Sequence, residues 1–228
     1  MRKKLQIFAA LILLAVVYSC GPSIKVTDSW SAPDAREMMD DKFLIIARTD
    51  DLASRQLFEQ ELTSKMQAAG IDATSSYVKY PKVKHNQKLT EADIDGLVKK
   101  FKSDGFTGIA LTVLKDVKTE IRTEESGGYT TGGYYPAYYG GYGGFGGYYG
   151  SFYSPYGYGG TYVPRSQRTY ESEIYKLETV IYDLERTENR QLVAVVASNI
   201  TDPGSASAVA GPYAKKVLGA FAKQAEKK

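Results

Sequence analysis

Phe43-Leu44-Ile45-Ile46-Ala47 is an unbroken apolar run, the pattern of a strand covered on both faces. The residues after it set the fold. Asp50 or Asp51 supplies a helix N-cap, and Leu52, Phe58, Leu62, Met66 and Ala69 recur at helical spacing as far as Gly70, a helix stop. Thr74 to Tyr80 reads as a second strand ended by Pro81, and Lys82 to Lys88 as a polar loop. Thr90-Glu91-Ala92-Asp93 has the form of a capping box. It opens a helix with Ile94, Leu97, Val98 and Phe101 on one side, ending near Gly105. Ile109 to Leu114 is a third buried strand, continuing with charged residues to about Glu124. Strands and helices therefore alternate, with the helices as crossovers, which predicts a sheet with helices packed on a face.

Outward from this unit, Ile24 to Thr27 alternates like a strand, and Trp30, Pro33 and Arg36 to Asp41 read as a loop. Downstream, Tyr170 to Leu184 and Leu192 to Ala197 are rich in β-branched and aromatic residues and predict a hairpin, closed by Asp202-Pro203-Gly204. Ala206 to Ala225 carries Val209, Tyr213, Val217, Leu218, Phe221 and Ala222 on one side of a helix, with Gly211-Pro212 a place to bend or restart. The expected fold class is α/β, two-layer: a mixed sheet of about five to six strands with three helices. Residues 24–125 and 165–228 form one domain in this reading.

Between the two halves, no residue from Ser126 to Pro164 is charged, and 127–162 holds 14 of the 22 glycines and 12 of the 19 tyrosines. Glycine at this density carries too large a backbone entropy cost for an ordinary strand or helix. The expectation is a disordered Gly/Tyr-rich insertion, residues 126–164, at a strand connection, where insertion is tolerated. Tyrosine pairs an apolar ring with a hydrogen-bonding tip and so suits stacking on sugars or other rings. Tyr134, Tyr135, Tyr138, Tyr139, Tyr142, Tyr148 and Tyr149 are the candidate contacts to an envelope protein or glycan partner. The alternative is a neutral low-complexity expansion.

The chain opens on Arg2, Lys3 and Lys4, then runs apolar from Leu5 to Val17 save Gln6, and closes on Val17-Tyr18-Ser19-Cys20-Gly21. This is the anatomy of a secretory signal peptide, residues 1–19, too short to span a bilayer as a helix. Cys20 is the only cysteine. The Val17-Tyr18-Ser19-Cys20 box resembles that of bacterial lipoprotein precursors. The resemblance implies cleavage before Cys20, a diacylglyceryl thioether on its sulfur and a third acyl chain on the new amine. Residues 20–23 are then a short tether and the membrane is the first partner. Many surface-exported lipoproteins of Bacteroidota-like bacteria carry an acidic cluster just after the cysteine; none follows Cys20, so the resemblance implies a periplasm-facing outer-membrane location rather than the cell surface.

The formal charge of +3 is accounted for by Arg2, Lys3 and Lys4, so the chain beyond the leader is neutral. It offers no general pull on nucleic acid and no polybasic patch for anionic lipid. With its one thiol acylated it forms no disulfide. The element order, the Glu59-to-Gly70 helix end and the Leu192-to-Pro203 strand and turn resemble small α/β domains of Gram-negative envelope lipoproteins and secretion accessories. The N-terminal domain of TolB and the curli-secretion lipoprotein family belong to that group. No binding residue carries over.

Chemistry-bearing residues are sparse. His85 is the only histidine, so no histidine cluster ligates metal, and no cofactor is expected. Asp50 and Asp51 make better sense as a helix start than as a site. Asp40-Asp41 and Glu124-Glu125 read as solvated pairs. The glycines from Gly140 to Gly147 lack the Lys-Ser/Thr of a phosphate loop, and Ser198 and Ser205 lack a base in any recognisable pattern. The expectation is a non-enzymatic, lipid-anchored envelope protein with a binding or assembly role. The rivals are a self-associating structural or secretion-accessory lipoprotein and, less favoured, an envelope hydrolase.

Overall fold

A computed structural model describes residues 23–83, 89–123, 144–145, 169–187 and 190–225. In chain order the elements are β1 (Ser23–Ser31), a 3-10 helix (Ala35–Asp40), β2 (Phe43–Arg48), α1 (Leu52–Ala68), β3 (Ala73–Ser75), a one-turn α2 (Ser76–Lys79), α3 (Glu91–Ser103), β4 (Gly108–Thr123), β5 (Thr169–Asp183), β6 (Leu192–Thr201) and α4 (Ala206–Ala225). The six strands form one sheet in the order β1-β6-β5-β4-β2-β3. β2 is parallel to β3 and β4, and the remaining pairs are antiparallel. The mixed α/β sheet expected from the strand–helix alternation is what forms.

The unbroken apolar run makes β2 a central strand, buried at all six positions. Alternate residues feed two cores. Phe43 and Ile45 join Leu62 and Met66 of α1 and Val209, Tyr213, Val217 and Phe221 of α4. Leu44 and Ile46 join Ile94 and Phe101 of α3 with Ile109, Leu111 and Val113 of β4. α1 ends at Gly70, whose φ of 84° is the left-handed conformation that stops a helix. At the head of β4, a Cβ on Gly108 would lie 2.7 Å from the Phe43 ring, so glycine is what lets the ring lie flat there.

Five local expectations change. β1 runs on through Trp30 to Ser31; its register slips between Val26 and Asp28, and that bulge ends the alternation legible in the sequence. The segment expected as a loop after it contains the 3-10 helix, which buries Ala35 and Met38. Thr74 to Tyr80 is a strand only to Ser75, because the Glu59 carboxylate takes the Ser76 hydroxyl and the Tyr77 N–H and turns the chain into α2. On α1, Leu52 is 56% exposed and Ala69 lies outside the buried stripe, which is Arg55, Glu59, Leu62 and Met66. α4 stays one helix across Pro212. The carbonyl left without its N–H is that of Ala208, an exposed residue open to hydration.

The second core contains a residue from the low-complexity segment. Phe145 is 1% exposed, stands edge-on to the buried Tyr182 ring at 5.7 Å, and donates its N–H to Gln191 Oε1 at 3.2 Å. Thr123 and Thr169, where the segment leaves and rejoins the sheet, pair at the opposite end of the β4–β5 ladder from the Ile109–Tyr182 pair. Phe145 thus docks at the end of the sheet opposite to Thr123 and Thr169.

Candidate functional site

The register gathers several features at one end of the sheet. There β1 begins, β2 and β6 end, and the β4–β5 hairpin projects beyond the other strands: Ser23 pairs with Thr201, and Thr201 with Ile174. Two helices start at this end. α1 begins at Asp51, which accepts from the N–H groups of Ala53 and Ser54, each at 3.1 Å, and from the Ser54 hydroxyl. That hydroxyl and backbone amide hold the Asp51 carboxyl below the ordinary aspartate range. α4 begins after a turn in which Asp202 and Gly204 take positive φ. The turn is fastened by the Glu173 N–H donating to Asp202 Oδ1 at 2.9 Å, and Ser205 Oγ accepts from Ala208 N–H at 3.3 Å.

Between the two helix starts and the sheet lies a crevice of about 350 Å³. Phe58, Leu114, Leu177, Ile200 and Val209 give it apolar walls, with Thr49, Asp51, Ser54 and Ser205 around it. Crevices at the carboxyl ends of parallel strands are where α/β sheets bind ligands. The hydroxyls of Ser54 and Ser205 are engaged in the helix caps, and no group of three or more His, Cys, Asp or Glu that could hold a metal occurs among the described residues. The crevice thus presents apolar walls with polar residues around them.

Behind the crevice, polar groups tie the sheet to its helices. Glu59, fully buried, accepts from Ala47 N–H at 3.1 Å, Arg55 Nε at 3.0 Å, Ser75 Oγ at 2.7 Å, Ser76 Oγ at 2.8 Å and Tyr77 N–H at 2.6 Å. Arg55 donates its other nitrogens to the Val83 carbonyl and Ser76 Oγ. A buried carboxylate so completely bonded joins β2, α1, β3 and α2 at one point, which is a structural role. A second chain of hydroxyls runs from Thr112 through Thr179 to Tyr213, each step 2.8 Å. Burial raises the Tyr213 phenol well above its ordinary value, so it stays neutral and bonded. Across the sheet, Lys115 Nζ meets the buried Glu178 at 3.1 Å.

The residues singled out from sequence are mostly elsewhere. Cys20, His85, Glu124, Glu125 and the seven tyrosines Tyr134, Tyr135, Tyr138, Tyr139, Tyr142, Tyr148 and Tyr149 lie outside the described residues. Asp51 is the cap of α1, as expected. Ser198 is buried on β6, and its hydroxyl has no hydrogen-bond partner among the described residues. Sequence reading missed the Arg55–Glu59 pair. Its signal was a spacing of four followed by three and four to Leu62 and Met66, which puts both charges on the buried stripe.

No protein-family model matches the chain. No curated protein matches it either. Among solved structures, it is similar to a PelC dodecamer from Paraburkholderia phytofirmans, at 13% identity and a TM-score of 0.40, over 87% of this chain and 96% of that one. It is similar to lipoprotein GNA1162 from Neisseria meningitidis at 12% identity and a TM-score of 0.39, over 80% and 99%. A DUF4136 family protein from Bacteroides thetaiotaomicron shares 9% identity at a TM-score of 0.34, over 92% and 100%. Likenesses at this distance assign no activity to the chain.

Proposed function

We propose that this chain is a lipid-anchored protein of the bacterial cell envelope, held by acyl chains on Cys20 at the periplasmic face of the outer membrane, and that it acts by binding or assembly rather than catalysis. The observation that carries the reading joins sequence to fold. The leader closes on Cys20, and β1 begins three residues later at Ser23, already paired with Thr201. Three residues reach at most ~10 Å, so the end of the sheet bearing the crevice sits against the bilayer. One acyl chain holds a protein weakly, whereas two or three hold it stably.

The partner meets the tyrosine-rich segment in this reading, an envelope protein or a glycan recognised by stacked rings. Both junctions of that segment, Thr123 and Thr169, are at the anchored end. Cys20→Ser tests the anchor. The variant should lose palmitate labelling and move from the membrane to the soluble fraction. A variant that still pellets with membranes would show that the lipid is not what holds the protein.

A further inference from the structure

We infer that the crevice between the starts of α1 and α4 houses an acyl chain of the protein's own Cys20 lipid, which rests on the lipidation proposed above. A volume of about 350 Å³ falls at the small end of the roughly 300–1,000 Å³ range of ligand pockets and accepts part of one acyl chain. The walls are apolar on three sides: Phe58 from α1, Leu114 and Leu177 from the sheet, Val209 from α4. Left to water, such walls lose both burial and dispersion contacts.

Position selects the occupant. Ile24, Ile200 and Tyr175 lie in one row of the sheet, and the last two line the crevice. Ile24 is four residues past Cys20. Strands lie about 4.8 Å apart, so the wall on β5 is about 10 Å from β1, within reach of a chain fixed to residue 20. Covalent attachment also gives that chain a high effective concentration that a free lipid lacks.

Among the described residues, Arg48 and Asp51 are the charged ones that line the crevice, and the thioether-linked glyceride on Cys20 carries no charge that either would repel.

The test uses full-length protein made in cells fed a palmitate analogue with a mid-chain diazirine. Membranes are irradiated, and the digested protein is analysed by mass spectrometry. The expected product is an intramolecular adduct joining the lipid on the Cys20 peptide to peptides containing Phe58, Leu177 or Val209. In Leu114→Trp, which fills the crevice from a partly buried position, that adduct should fall at least tenfold while Cys20 stays lipidated and the melt stays cooperative. A lipidated Cys20 with adducts only to phospholipid or to other proteins would overturn the inference and leave the anchor standing. Crevice adducts from a lipid not attached to Cys20 would overturn it in favour of a bilayer lipid. An unmodified Cys20 peptide would overturn the anchor and the inference together.

Discussion

On one face of the sheet, α1 and α4 lie side by side and bury Leu62, Met66, Val209, Tyr213 and Val217. On the other, α3 brings Ile94 and Phe101 to Leu44, Ile46, Ile109 and Leu111, while Phe145, drawn from low-complexity sequence, is buried beside Tyr182. The first face is closed by periodic helices and fastened through polar atoms, the Arg55–Glu59 pair and the Thr112–Thr179–Tyr213 hydroxyls. The second is closed partly by an aromatic ring that no periodicity announces. A segment without a hydrophobic period can still contribute to a core, provided one residue in it is large enough and has a place to dock.

The sharpest way to break this contrast is Glu59→Ala. It strands the Arg55 guanidinium, and removing one partner of a buried pair costs about 3–5 kcal/mol. Urea unfolding should show that loss, and an effect under ~1 kcal/mol would mean the first face is not held by the pair. On the second face, Phe145→Ala should cost about 3 kcal/mol, the low end for a buried phenylalanine. Deleting 127–162 removes the same ring and should cost no less. If both leave the midpoint unchanged, the second face is closed without the segment.

A smaller effect is expected from Tyr213→Phe. Thr112 and Thr179 keep each other as partners, so the loss is that of one net hydrogen bond, about 1 kcal/mol. Acid should act on both faces alike. Asp51 caps α1 and Asp93 closes the Thr90 capping box of α3; hydrogen bonds from Ser54 and Thr90 respectively hold their carboxyls below the ordinary value. Groups depressed in the folded state stabilise above the unfolded value of about 3.9 and lose that contribution as pH falls through the folded value. Urea midpoints should therefore drop as pH falls through and below the unfolded value, and the Asp51→Asn, Asp93→Asn double variant should show a shallower drop. An unchanged slope would mean that neither cap responds to acid.

Much of this was legible in the residues. The apolar run at Phe43, the Asp51 cap and the Thr90–Asp93 capping box, present in full in the structure, placed β2, α1 and α3. The hairpin and the final helix followed from β-branched runs and helical spacing. What stayed hidden is long-range. A carboxylate twelve residues from Ala47 and sixteen from Ser75 shortened β3. The β1 bulge hid Trp30 from a period-two reading. The crevice needs two helix starts and four strands at one end of the sheet, and only the strand order supplies that.

The claim that the sheet stands against a membrane on acyl chains is tested most directly by the mass of the N-terminal peptide of protein purified from native membranes. The account predicts a peptide beginning at Cys20 that carries a thioether-linked diacylglyceryl group and an acylated amine. A peptide still beginning at Met1, or residue 20 with a bare thiol, would contradict it.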